Sequence, residues 1–271
     1  MSRISVKNRE ILLHEYYRRF HAPNFLEWDP LLLVREFHGQ ETEEYIALVA
    51  ALLAFGGVKQ ILASLRKFVD RLDLAAHPEN IFLPARELAP RLQGFSHRVY
   101  VGEDLVLLTL LYQESKIRHG SLGAHFLSHH DAKHETIEHG LAGVIRDYKT
   151  WADESLFKPG THFKHMLNSP EQGSTCKRWL MYLKWMIRPD DGIDLGLWQK
   201  HAEMRPDQLL IPLDTHLLKI SKKLGLTQKN TANFNMSIEV TRALKKVDPA
   251  DPTRFDFSLC RFGMLDYRKL L

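Results

Sequence analysis

Cysteine is nearly absent: the 271 residues hold two, Cys176 and Cys260. Two thiols cannot build a disulfide scaffold, a four-cysteine metal site or a cysteine-held iron–sulfur cluster. They fit a reducing cytoplasm. No run of eighteen apolar residues occurs, so no membrane-spanning helix is expected. The opening MSRISVKNRE is polar, and no signal peptide is expected from it. Strand signals are scarce too, because alternating runs of Val, Ile and Thr are missing. No internal repeat or low-complexity tract appears.

What is present is helical periodicity. Apolar residues recur mostly at three- and four-residue spacing, which predicts an all-α chain. The expected helices cover about 5–20, 42–54, 58–72, 98–116, 135–149, 176–187, 214–224, 235–246 and 253–268. Asp29 and Pro30 open a further short helix, Leu31 to Phe37, with Asp29 as its cap. Phe163 to Leu167 reads as a short helix and 168–175 as a hairpin. Bases exceed acids by 37 to 33. That mild excess permits a polyanionic partner without demanding one.

The helix predicted over 176–187 is apolar over most of its surface, through Trp179, Leu180, Tyr182, Leu183, Trp185, Met186 and Ile187. Such a helix belongs inside a protein. One stripe differs: Lys177, Met181, Lys184 and Arg188 share a face. Three cations on the edge of a buried helix need either water or an anion. Gly173, Ser174 and Thr175 lead into this helix, and backbone N–H groups at such a start can grip phosphate oxygens. A lysine in the first turn, beside Arg178, is expected to have a lowered pKa. A neutral amine there could attack a carbon centre and form an imine.

Pro212-Leu213-Asp214-Thr215-His216 precedes another amphipathic helix. Asp214 reads as an N-cap. A capping aspartate can still turn its second oxygen towards a site, where it could stabilise positive charge or manage a proton. His216 is either a structural helix-surface residue or a phosphate contact. His119, His125, His129, His130 and His134 cluster in a segment expected to be a surface loop. His125 and His129 lie four apart, a zinc-compatible spacing, but no metal is predicted. Asp190, Asp191 and Asp194 read as a loose acidic loop whose spacing is not that of an EF-hand.

Taken in order, these strings resemble the helix-hairpin-helix DNA glycosylases. The glycine-bearing hairpin, Lys177, the apolar helix and the Pro-x-Asp-x-His element carry the resemblance. Two upstream strings agree: Ala51 to Ile61, around Phe55-Gly56-Gly57, and Gly94 to Val101, with Arg98. The resemblance covers roughly residues 41–270. The 37 residues between Lys177 and Asp214 are more similar to the archaeal 8-oxoguanine glycosylases than to the common bacterial and eukaryotic ones. The strings around Cys176–Trp198 and Phe255–Met264 also look like an uncharacterised bacterial family related to them. Where the superfamily has Leu-Pro-Gly-x-Gly before its lysine, this chain has Glu171-Gln172-Gly173-Ser174-Thr175.

The resemblance implies a single two-lobed helical unit with a helix-hairpin-helix motif and a cleft between lobes of about 41–160 and 161–271. It implies a cytoplasmic, nucleoid-associated monomer that needs no cofactor and flips a damaged base out of double-stranded DNA. Lys177 would be the nucleophile and Asp214 the essential carboxylate. Met181, Phe257, Asp256 and Arg261 would line the base pocket. Taken without the resemblance, Phe257 reads as core and Asp256 with Arg261 as a helix ion pair. Gly173, Ser174, Thr175, Arg178 and His216, together with Gly57, Val58, Lys59, Gln60 and Arg98, would meet the DNA. The expected activity is release of an oxidised purine, 8-oxoguanine first, with strand cleavage by a lyase step. Two other readings stay open: a DNA-damage or DNA-structure binding protein of the same fold without chemistry, and a helical scaffold for a protein or small molecule.

Overall fold

The computed structural model describes residues 6–265. The first five residues of the polar opening, and the expected helix ends at 5 and 266–268, lie outside the described residues. Helix dominates, as the apolar spacing requires. In chain order the helices are α1 (Val6–Phe20), α2 (Leu31–Val34), α3 (Glu43–Leu52), α4 (Val58–Leu72), α5 (Ala85–Leu92), α6 (Gly102–His119), α7 (Leu122–Leu127), α8 (Glu138–Glu154), α9 (Lys177–Ile187), α10 (Thr215–Lys223), α11 (Phe234–Lys245) and α12 (Phe255–Leu265). The strand content among the described residues is one hairpin, β1 (Ser96–His97) with β2 (Tyr100–Val101).

Local chemistry sets several boundaries. Asp29 Oδ1 accepts the Leu31 N–H at 3.0 Å, so the expected cap forms, although the helix tightens to 3-10 geometry at Arg35–Phe37. α4 follows the extended Gly57 and stops at Asp73, whose φ of 52° is left-handed and cannot continue a right-handed helix. The predicted helix start at Arg98 is wrong. Ser96 pairs with Val101 and His97 with Tyr100, and Arg98 takes the turn at φ 58°. The helix begins only at Gly102, where Asp104 Oδ2 accepts the Val101 N–H at 2.9 Å. A side chain is excluded at 102, since its Cβ would lie 2.1 Å from the Leu92 carbonyl oxygen.

The described chain divides into two compact units. One takes the residues up to Glu27, Ala132–Glu138 and Pro170 onward. Its core joins α1, α10, α11 and α12 through Leu13, Phe20, Leu217, Val240 and Leu259. Each such side chain stabilises the unit by about 1.5–3 kcal/mol on burial. Tyr16 stacks on Phe262 with centroids 4.1 Å apart, and Gly263 makes room for Ile220. The other unit takes Trp28–Asp131 and His139–Ser169. Here α5 and α7 pack on α6, and Tyr45 and Thr109 hydroxyls meet at 2.5 Å in its interior. No helix among the described residues is long and apolar enough to cross a membrane.

Candidate active site

The hairpin before α9 has its own strain pattern. A 3-10 turn at Pro170–Gln172 leads to Gly173 at φ 71°. The second left-handed residue is Cys176 at φ 48°, not Thr175. A non-glycine residue in that region costs of order 1–3 kcal/mol. Ser174 offsets part of it, because its Oγ accepts the Cys176 N–H at 3.2 Å. The bend delivers Lys177 as the first residue of α9, one position later than the sequence reading began the helix.

Lys177 Nζ lies 3.2 Å from Asp214 Oδ2. The other Asp214 oxygen, Oδ1, accepts the Leu217 N–H at 2.8 Å and caps α10. Asp214 therefore caps α10 through one oxygen, as read from the sequence, and turns the other to Lys177. The side chains are 33% and 19% exposed, so the pair is open to solvent rather than sealed in the core. The expected fall in the Lys177 pKa is corrected. Burial pulls it down, but the charge of Asp214, with Cys260 and Asp256 beyond it, outweighs burial and raises it. Asp214 moves the other way: burial pushes it up, while the Lys177 charge and the Leu217 N–H hold it below the ordinary aspartate range. The resting pair is ammonium and carboxylate.

The cationic stripe of α9 continues inward. Lys184 is 2% exposed and Arg188 3%, so the stripe is not a solvated edge. It is matched by carboxylates. Lys184 Nζ is 2.9 Å from Asp256 and 3.4 Å from Asp194. Arg188 binds Asp194, Asp191 at 3.0 Å and Asp251 at 2.9 Å. Asp191 also meets His21 Nε2 at 2.8 Å. The segment read as a loose acidic loop is thus the fixed counter-charge of a buried helix face, with Asp194 fully buried. Burial, with Asp194 and Asp214 near by, raises the Asp256 pKa, while Lys184 keeps its proton because Asp194 and Asp256 outweigh its desolvation.

Met181 sits half-buried between Lys177 and Lys184 on this stripe. Asp256 and Arg261 do not form the ion pair expected of them. Asp256 turns to Lys184, and the Arg261 guanidinium lies 4.5 Å from the centre of the buried Phe257 ring. Cys260, which the sequence offers only as a small core residue, is half-buried beside this cluster. Burial pushes its thiol up to about 12, and it feels Arg261, Asp214, Asp256 and Lys177. Its position four residues beyond Asp256, one helical turn, was the available signal. Ser174, Thr175 and Arg178 are half-buried, while Gly173 and His216 are exposed.

The remaining predicted DNA contacts lie in the other unit. Gly57, Lys59, Gln60 and Arg98 are exposed there and Val58 is half-buried. The two strings, far apart in sequence, come together. The Arg98 guanidinium stands 5.3 Å from the Phe55 ring centre, and its side chain runs alongside Gly56.

The histidine segment is not a surface loop. α7 carries His125 into the interior, where it is fully buried, and His130 is buried as well. His125 Nε2 and His129 Nε2 lie 3.0 and 2.8 Å from the same oxygen, Asp147 Oδ2, on α8. Burial drives the His125 imidazole down to about 4. The sequence concealed this because Asp147 is eighteen residues past His129, in a separate helix.

A family model described as a protein of unknown function (DUF2400) matches residues 29–265. The chain belongs to this family. No curated protein and no solved structure matches it. The family match spans Lys177, Asp214, Arg98 and the His125–Asp147 cluster alike.

Proposed function

We propose that this protein is a DNA base-excision glycosylase with lyase activity, acting on an oxidised purine, with 8-oxoguanine the first substrate to test. The observation that carries the reading is the Lys177–Asp214 pair: an amine at the start of α9 held 3.2 Å from a carboxylate whose other oxygen caps α10. An amine and a carboxylate at one partly exposed point are the two groups the chemistry requires.

In the proposed reaction the neutral Lys177 amine attacks C1′ of the damaged nucleotide. The glycosidic bond breaks, and the base leaves with the bonding pair and takes up a proton. Asp214 stabilises the positive charge that develops on the sugar. As that charge grows, it competes with Lys177 for the carboxylate, and the ammonium gives its proton to the leaving base and becomes the attacking amine. The attached nitrogen passes a proton to the ring oxygen as the C1′–O4′ bond breaks, and the sugar opens to an imine. Removal of a 2′ proton then expels the 3′ phosphate and cuts the strand. Met181, Phe257, Asp256 and Arg261 are assigned to the base pocket, and the 173–178 bend and the 55–60 and Arg98 elements to the DNA backbone.

Imine trapping tests it. The full chain incubated with an 8-oxoguanine duplex and borohydride is expected to give a covalent adduct that Lys177→Gln abolishes. Absence of trapping and of base release across a panel of oxidised and alkylated bases would overturn the reading. One observation favours a second reading, a DNA-structure binding protein without chemistry: Lys177 rests as an ion-paired ammonium. That reading expects salt-sensitive duplex binding unchanged in Asp214→Asn and no cleavage.

A further inference from the structure

We propose that His125, His129 and Asp147 form a binding site for one divalent transition-metal ion of the zinc class, independent of the Lys177–Asp214 pair. Three potential ligand atoms, two imidazole Nε2 and one carboxylate oxygen, lie within 4.8 Å of one another. Both imidazoles aim at one oxygen, at 3.0 and 2.8 Å. Tetrahedral zinc with bonds of about 2.0–2.1 Å separates its ligands by about 3.3 Å, so to admit the ion the two nitrogen–oxygen distances must open by a few tenths of an ångström and the two nitrogens, within 4.8 Å of each other, must draw together. Imidazole with a single carboxylate is a donor set for zinc and its neighbours rather than for calcium or magnesium.

The surroundings are built to hold this geometry. His125 Nδ1 lies 2.9 Å from Ser115 Oγ, the outer oxygen contact that orients a ligating imidazole. Ser115 is in turn 3.0 Å from the buried Tyr148 hydroxyl. The His125 ring is clamped between His119, centroids 4.4 Å apart, and Trp151, at 5.0 Å. His129 lies so close to α8 that a Cβ at Gly143 would stand 2.2 Å from its Cγ. The buried His125 anchors the cluster, whereas His129 and Asp147 are 28% and 31% exposed. That leaves an approach for the ion and a fourth position for water, the arrangement of a three-ligand zinc site. The ion would pin the segment from α7 to His129 onto α8.

The test is metal binding by the full chain, chelator-treated and then titrated with Zn²⁺ and, separately, Co²⁺. The fifteen histidines make weak background binding certain, so the readout is the difference between proteins. The native chain is expected to bind one equivalent more than Asp147→Asn, and to show visible Co²⁺ ligand-field bands that this variant lacks. His129→Asn, altered at the other half-exposed ligand, should lose the same equivalent and the same bands. Ser115→Ala should keep the site but weaken it about 10- to 100-fold. Zn²⁺ should raise the Tm of the native chain and of Lys177→Gln alike, but not of Asp147→Asn. Equal stoichiometry and identical Co²⁺ spectra in the native chain and both ligand variants would overturn the proposal, leaving a carboxylate shared by two histidines.

Discussion

Asp214 serves Lys177 and Leu217 at once, giving Oδ2 to the amine at 3.2 Å and Oδ1 to the backbone N–H at 2.8 Å. The two duties can be separated by mutation. Asn at 214 can still cap α10 through its side-chain oxygen but carries no charge, whereas Ala does neither. Asp214→Ala should cost about 0.5–2 kcal/mol more than Asp214→Asn in urea unfolding. Both should lose base release, since the charge is gone in each. Equal stability of the two variants would contradict the capping role.

The ion pair also fixes a pH dependence. Lys177 is raised above 10.5, so its contribution to stability is full below that value and fades as pH climbs through the folded pKa. Asp214 is depressed below 3.8, so its contribution is full above that value and fades as pH falls through the folded pKa. The stability gap between the native chain and Lys177→Gln should therefore be widest between these limits and shrink at both ends. Because attack needs the neutral amine, trapping yield should rise from pH 7 towards pH 10. A flat or falling profile at constant DNA occupancy would show that Lys177 deprotonation does not limit the reaction.

Lys184 is the buried cation shared by Asp194 and Asp256. Lys184→Ala leaves Asp194 and Asp256 buried beside each other without their shared cation, a loss of about 3–5 kcal/mol at pH 7. Urea denaturation measures it. Acidification should narrow the deficit, because Asp256, whose pKa burial has raised, takes up a proton most readily. A loss under 1 kcal/mol would mean that water reaches the carboxylates.

Arg98 offers a test away from the chemistry. Arg98→Ala removes a cation poised over Phe55 at a turn tip and should weaken duplex binding, with the slope of log affinity against log salt falling by about one. Fluorescence anisotropy at several salt concentrations reads this directly. An unchanged slope would take the 55–60 and 96–101 elements out of the proposed DNA surface.

Much of this was legible in the chain, for reasons that differ by element. α4 was readable to both ends because fifteen residues of 3.6-fold periodicity lie between Gly57 and a left-handed Asp73. The β1–β2 hairpin was not, since two-residue strands are too short to show alternation and Arg98 makes a turn no propensity foretells. Lys177 and Asp214 were legible because each stands at a helix start that its neighbours announce. The α9 stripe announced a need for anions without saying where they were, and Asp194, Asp251 and Asp256 come from a loop, a turn and another helix. His125 was hidden for the same reason. A histidine among histidines reads as surface, and only Ser115 and Asp147, brought in by tertiary packing, make it interior.

The missing side chain at Gly143 couples two positions that are fourteen residues apart. Since any β-carbon there would collide with the imidazole of His129, a descendant of this sequence cannot acquire alanine at 143 while retaining His129 in place. The two sites should change together or not at all across the lineage. Aligned relatives would therefore reveal whether the His125–His129–Asp147 trio has been kept by selection, by whether glycine persists wherever that imidazole does.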